Sequence, residues 1–251
     1  MKEIFIECAA LTEGYHRALE ALRERGERVG CADYNTECLE CAMTVAVSEP
    51  LSEPRISKLI IGGPRELQQY SMEILDGILD FRIGHGWHYT YHARYAKYYK
   101  FVVDELKRNP ESRRAVVSVR ENAEDAHTDS PACLQSLQFM IRGGRLDLTV
   151  LFRSNDLPEA FFFNAFALIQ LQERTAAALC VPVGTYTHRS NSMHAYKKNF
   201  DMLDGFVKAI KTKPFKELVY RYDDDFKDMM QSEIPNILEQ VETLKKNIGK
   251  P

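Results

Sequence analysis

Residues 135–153 read QSLQFMIRGGRLDLTVLFR, and the reading of this stretch decides the fold. Leu146, Leu148 and Val150 alternate with Asp147 and Thr149, the period-2 pattern of a strand with one buried face. Gly143-Gly144 is a two-residue turn signal, so 135–142 and 145–153 are expected to pair as an antiparallel hairpin. Beyond it, 159–180 opens with EAFFFNAFALIQL, apolar on nearly every side, which predicts a buried helix. Working toward the N-terminus, Ala115 to Val119 is a short strand, and 92–108 a helix that stops at Asn109-Pro110. Residues 83–91, with Gly84, Gly86 and several aromatics, read as an ordered loop. Gly62-Gly63-Pro64 opens a helix running to about Phe81. Residues 42–49 are a strand stopped by Pro50 and Pro54; a helix over 12–26 is capped by Thr12, ended by Gly26 and buries Tyr15, Leu19 and Leu22; residues 1–7 are a strand. Toward the C-terminus a strand is expected near 183–191 and helices near 194–210 and 234–247. No repeat or linker interrupts this order, so residues 1–251 are expected to form a single α+β domain.

Composition narrows the function classes. The 251 residues are 45% apolar and 27% charged, an ordinary globular balance. A net charge of −3 gives no reason to expect a nucleic-acid polymer or an anionic membrane as partner, whereas a small phosphorylated ligand needs only a few local arginines. The first seven residues carry two acids and no long apolar stretch, and no run approaches the roughly 18 apolar residues of a membrane span. The expected location is the cytoplasm. There the six cysteines are not a disulfide framework. Cys38-x-x-Cys41, with Cys31 nearby, lacks a second pair at metal-ligand spacing and reads as ordinary thiols.

Four local features carry possible chemistry. Arg113-Arg114 precedes a strand; alone it is a solvated strand end, and paired with a phosphate it is a clamp of planar guanidinium groups. Cys133, in DSPACL, follows a proline-containing turn that can present a thiol at a cleft, where nearby arginines would lower its pKa; a lone cysteine is otherwise a small buried hydrophobe. Arg153-Ser154-Asn155-Asp156 ends the hairpin, either as a turn or as an anion site, and Asn164 places an amide inside the apolar helix, where it needs partners. His194-Ala195-Tyr196 sets two polar rings one residue apart, able to point the same way from an extended segment.

Taken together these residues resemble the thymidylate synthase family. In that family an Arg-Arg pair lies twenty residues before the nucleophilic cysteine and an Arg-Ser-x-Asp motif twenty residues after it, followed by a pyrimidine-reading Asn and a sugar-binding His-x-Tyr. The order here is Arg113-Arg114, Cys133, Arg153-Ser154-Asn155-Asp156, Asn164, His194-Ala195-Tyr196. Gln138 falls at the family's Gln-Phe, and Tyr91 looks like the tyrosine before the third helix. The chain departs from the pattern at Ala132-Cys133-Leu134, where the family has Pro-Cys-His, and at Tyr91-His92, where it has Tyr-Gly. It also departs in having Trp87 as its one tryptophan, no arginine-bearing phosphate loop near the N-terminus and no apolar closing tail at 247–251. This style is similar to the archaeal branch of the family. The family's catalytic glutamate falls among Glu49, Glu53 and Glu66, with Glu53 the expected one.

The resemblance implies a three-layer α+β domain whose mixed sheet packs back to back in a homodimer. It implies that Cys133 adds to C6 of dUMP, making C5 nucleophilic toward the one-carbon unit of 5,10-methylene-tetrahydrofolate or a methanopterin-type analogue. Arg153, Ser154 and, from the other subunit, Arg113 and Arg114 would hold the phosphate; His194 and Tyr196 the sugar; Asn164 and Gln138 the nucleotide; Asp156 the pterin side. The product would be dTMP in a synthase, or a 5-hydroxymethyl nucleotide in a hydroxymethylase on the same scaffold. A non-catalytic nucleotide-binding protein would keep the phosphate residues and need no thiol at position 133.

Overall fold

The computed structural model describes residues 1–248, so the end of the 247–251 tail lies outside the described residues. The chain runs β1 (Glu3–Cys8), α1 (Leu11–Arg25), β2 (Glu27–Cys31), β3 (Thr36–Val47), β4 (Ile56–Ser57), α2 (Pro64–Asp76), α3 (Tyr91–Arg108), β5 (Val116–Ser118) and α4 (Asn122–Asp125). It continues through β6 (Leu134–Arg142), β7 (Arg145–Phe152), β8 (Asn155–Asp156), α5 (Phe162–Leu179), β9 (Val183–Tyr196), α6 (Phe200–Thr212), β10 (Val219–Tyr220), α7 (Lys227–Ser232) and α8 (Ile234–Asn247). The mixed sheet is ordered β1-β3-β9-β7-β6-β5, with β2 paired to β3 and β8 to β9. The short pair β4–β10 stands apart. Helices α1 and α5 lie on the sheet, and α2 packs on α5, giving sheet, inner helices and outer helix as successive layers.

Register explains which face is buried. Val117, Leu137, Val150, His188, Val45 and Ile6 are consecutive cross-strand neighbours, and all are buried under the helices. The adjacent row, Ser118, Ser136, Leu151, Arg189, Thr44 and Phe5, points the other way, and Phe5 is 59% exposed. A sheet with one face packed and one face open is what the alternation of β7 demands.

The hairpin forms as expected. Gly143 and Gly144 take φ of 56° and 74°, the left-handed pair that a tight two-residue connection requires. Several boundaries differ from the sequence reading, each for a local reason. Strand β9 continues past 191 to Tyr196, because β3 offers partners as far as Cys38, and the following helix starts at Phe200 rather than near 194. The edge strand β2, too short and mixed to show a period, was not expected. Helix α2 stops at Asp76 because Gly77 turns left-handed at φ 63°, where a Cβ would stand 2.1 Å from His92 Nδ1. Thr12 does not cap α1: Ala10 holds that position, and the Thr12 hydroxyl donates to the Pro54 carbonyl at 2.7 Å. Among the described residues no helix is long and apolar enough to cross a membrane.

One buried ion pair governs the segment that precedes Cys133. Arg94, 3% exposed, makes a two-pronged contact with Asp125, 2% exposed, at 2.7 and 2.9 Å. The same guanidinium donates to the Val119 carbonyl at 3.1 Å and lies over the Tyr89 ring at 4.2 Å. Asp125 in turn accepts from the backbone N–H of Glu121 at 3.1 Å and of Ala132 at 3.5 Å. Helix α3, the 119–132 segment and the approach to the thiol are thereby clamped together. Arg94→Ala leaves the Asp125 charge buried and unpaired, and is expected to cost about 3–5 kcal/mol of stability by urea unfolding. The double replacement Arg94→Met with Asp125→Leu is expected to recover most of that loss.

Candidate active site

The β6–β7 hairpin places the thiol beside a guanidinium. Regular pairing from Ser136↔Leu151 to Arg142↔Arg145 would set Cys133 opposite Ser154. A one-residue bulge at Gln135 shifts the register, so that the Arg153 N–H donates to the Cys133 carbonyl at 2.8 Å. The Arg153 side chain folds back over the same loop, donating to the carbonyls of Ala132 at 3.1 Å and Pro131 at 2.8 Å. Next to it, β8 pairs in parallel with the end of β9, which sets Asp156 level with His194 and Asn155 level with Met193.

These residues line a cleft of about 980 Å³. Cys133, Arg153, Ser154, Asn155 and Asp156 form its floor; Asn164 and Glu159 come from α5 and the turn before it; His194 and Tyr196 come from β9. Tyr70 of α2 and Tyr91, the first residue of α3, close one side. The β2–β3 hairpin tip supplies Cys31, Asp33 and Tyr34, with Tyr34 edge-on to Tyr196 at 5.3 Å between ring centres. A second cavity of about 440 Å³ adjoins it, sharing Tyr70 and Tyr91, with Glu73, Trp87 and Tyr89 in its wall.

The electrostatics set each group's resting state. Burial raises the Cys133 thiol above its ordinary pKa; the nearby Arg153 charge and a hydrogen bond with Tyr91 oppose that rise without cancelling it. Arg153 lowers this pKa as expected, but desolvation outweighs it, so the net shift is upward. Burial pushes the Asp156 carboxyl up to about 7, although its Oδ1 accepts from the Glu159 N–H at 3.0 Å. Its Oδ2 is buried with no partner among the described residues. Burial also lowers the His194 pKa, leaving a neutral imidazole 4.7 Å from the Tyr196 ring. Glu73 is raised by burial, with a hydrogen bond from Gln69 working against it.

Asn164 is held at both ends. Its Oδ1 accepts from the Tyr70 hydroxyl, and its Nδ2 donates to Asn155 Oδ1 at 3.3 Å. Tyr70 and Asn155 were not singled out by sequence reasoning as chemistry-bearing. Asn155 is the variable position of its motif, and a tyrosine on an amphipathic helix carries no signal of its own.

Four of the expected site residues lie elsewhere. Glu53 does not reach the cleft: its carboxylate accepts from the backbone N–H groups of Arg55, Tyr222 and Asp223 at 2.9, 2.9 and 3.0 Å and ties two loops together. Nor do the other two candidates, since Glu49 pairs with Arg145 and Glu66 accepts from the Gly63 N–H at the start of α2. Arg113 and Arg114 are exposed just before β5. Gln138 sits on the open face of the sheet, donating to the Arg113 carbonyl at 3.3 Å.

Comparison with known proteins bears on this geometry. The family model described as thymidylate synthase matches residues 67–242. The chain belongs to the thymidylate synthase family. A protein of Methanosarcina barkeri provisionally assigned as a thymidylate synthase is 26% identical over 213 residues, 82% of this chain and 95% of that one. A similarly assigned protein of Methanocaldococcus jannaschii is 35% identical over 156 residues, covering 56% of this chain and 68% of its own. The solved structure of thermostable thymidylate synthase A from Bacillus subtilis superposes with a TM-score of 0.62 at 17% identity, over 80% of this chain and 84% of that one. The shared fold is the α+β architecture described above, and the family is one of one-carbon transferases.

The raised thiol pKa gives a direct test. The thiolate fraction rises with pH, and removing a group that lowers the pKa moves the profile up. Alkylation of Cys133 by iodoacetamide, followed by peptide mass analysis, is expected to show a midpoint above that of an ordinary thiol. Tyr91→Phe should shift the midpoint higher still. A shift to lower pH in Tyr91→Phe would show that the hydroxyl does not stabilise the thiolate.

Proposed function

We propose that the protein is a thymidylate synthase that transfers a one-carbon unit to C5 of dUMP through a covalent bond between Cys133 Sγ and C6. The observation that carries this reading is the convergence of Cys133, Arg153, Ser154, Asn164, His194 and Tyr196, from four separate segments, on one cleft. Addition of a thiolate to C6 leaves electron density at C5, which is covalent catalysis by an activated cysteine. Because the resting thiol is neutral, ionisation must be coupled to ligand binding, and Arg153 and the Tyr91 hydroxyl are the groups placed to favour it. Asn164 suits the uracil edge, with one N–H and one carbonyl lone pair left over from its two protein contacts. His194 and Tyr196 suit the sugar hydroxyl.

The cleft's charge supports a homodimer. Asp33, Asp129, Asp156 and Glu159 line it against one cation, Arg153, an unfavourable balance for a phosphate. Arg113 and Arg114, exposed beside the open face of the sheet, suit the phosphate of a facing subunit. Back-to-back packing would bury that face, including Phe5. The protein would work in the cytoplasm on a free nucleotide.

The carbon unit would come from 5,10-methylene-tetrahydrofolate or a methanopterin-type analogue. The residues present fit a reduced pterin: Asp156 offers to ring N–H donors a buried carboxyl oxygen that has no partner among the described residues, and Trp87, Tyr89 and Tyr91 supply flat apolar walls nearby. When bound, such a group supplies an electrophilic methylene carbon; Asp156, with a pKa near 7, can hold or give a proton at Oδ2 beside it.

Incubation with dUMP and the methylene donor, followed by mass analysis, should yield dTMP; a 5-hydroxymethyl product would move the assignment to the hydroxymethylase on the same scaffold. The 5-fluoro analogue of dUMP should form an adduct at Cys133, visible by intact mass. Cys133→Ala should lose all but a trace of turnover while still binding dUMP. An adduct on another cysteine, or residual turnover well above a trace, would sink the assignment. Arg114→Ala and Cys133→Ala, each nearly inactive alone, should regain part of the activity when mixed with subunit exchange, because one hybrid site carries neither lesion. No recovery despite confirmed exchange would remove the arginines from the partner's site.

A further inference from the structure

Behind Asn164 the structure carries a line of polar side chains into the apolar core. Asn164 donates to Asn155 Oδ1 at 3.3 Å; Asn155 Nδ2 lies 2.9 Å from His188 Nε2; His188 Nδ1 lies 2.9 Å from the Tyr186 hydroxyl. At the cleft end Tyr70 donates to Asn164. Tyr186 and His188 are both 0% exposed, and the His188 ring stacks on Phe152 at 4.7 Å and meets Phe161 at 4.6 Å. Neither of them lines the cleft. An apolar core would have packed at least as well there, so five polar groups in series need a reason.

We propose that this relay, anchored by Tyr186 and His188, fixes which pyrimidine the cleft accepts. The inference rests on the nucleotide reading given above. Its logic is the polarity of the chain. Asn155 donates to His188 Nε2, so the imidazole carries its proton on Nδ1 and donates to Tyr186. Burial pushes the His188 pKa down to about 3, so the ring stays neutral and offers one donor and one acceptor throughout the working pH range. Turning the Asn164 amide over alone would set its carbonyl oxygen against that of Asn155, a clash the Tyr70 hydroxyl, which can rotate to accept, does not relieve. Asn164 can therefore reverse only if Asn155 and the His188 tautomer reverse with it. Uracil offers a donor at N3 and an acceptor at the C4 substituent; cytosine offers the opposite order at the same two positions. The polarity of the buried relay is thus the choice of base, and its length makes that choice collective.

The test is discrimination rather than turnover. Binding of dUMP and dCMP is measured by calorimetry, and kcat/KM for both, in wild type, Tyr186→Phe and Tyr70→Phe. Wild type is expected to prefer dUMP. Tyr186→Phe leaves the His188 Nδ1–H buried without an acceptor, disfavours that tautomer and should lower the dUMP:dCMP ratio by about tenfold, the worth of one lost buried hydrogen bond. A merely structural role would weaken both nucleotides together and leave the ratio alone. Tyr70→Phe, at the opposite end, should relax the ratio in the same direction and serves if Tyr186→Phe does not fold. An unchanged ratio in the folded variants, with wild type still selective, would overturn the relay and leave the nucleotide reading standing. Wild type that takes up neither nucleotide would overturn that reading and the relay with it.

Discussion

Twenty residues separate Cys133 from Arg153, and the hairpin that joins them turns this interval into a contact. The constraint is geometrical. A two-glycine turn sets the pairing of β6 and β7, and the bulge at Gln135 moves that pairing by one place. Without the bulge the thiol would face Ser154, and because strand side chains alternate, the guanidinium would lie on the other side of the pleat. The remaining site residues are hung from the same frame. Arg153 continues into β8, β8 pairs with the end of β9, and His194 arrives at the level of Asp156. The Arg94–Asp125 clamp holds the entry to this arrangement, since Asp125 reaches the Ala132 N–H one residue before the thiol.

The charges that line the cleft are not balanced within it. The pKa of its thiol is raised because burial outweighs the nearby guanidinium, the Asp156 carboxyl is pushed up to about 7, and among the lining residues one guanidinium is outnumbered by acids. The first two follow from burial, whereas the excess of acids would disfavour an anionic ligand held by one subunit's residues alone. Desolvation that suppresses ionisation in the free protein strengthens every charge interaction once a partner is present.

Much of this was legible in the sequence because it depends on short-range rules. Alternation in 145–152 and the Gly143-Gly144 turn specify the hairpin, and the uniform apolarity of 159–171 specifies a buried helix; which residues meet was implied only by the resemblance to the family. What was not legible depends on contacts distant in the chain. Glu53 has the residue type and neighbourhood of a catalytic acid, yet three backbone N–H groups, two of them from 222–223, occupy it. The sign of the thiol's pKa shift is a competition between burial and charge that spacing alone does not weigh. Strand β9 runs to Tyr196 because β3 is there to receive it, and no periodicity in 192–196 announces that. Tyr186 and His188 read as alternating strand residues, and only the packed structure shows that one row of the core is polar.

The position of β9 in the sheet has a consequence for how the molecule is made. It lies between β3 and β7, but it leaves the ribosome after both. Until then β1–β3 and the β5–β7 unit each present an unpaired inner edge, the kind of edge that recruits strands from other chains. The central strand is inserted last, and with it come His194 and Tyr196. A chain cut short before residue 183 would therefore have no sheet core joining its halves, and its exposed edges would make it prone to aggregate. Pairings so remote in sequence also place the molecule among slow folders.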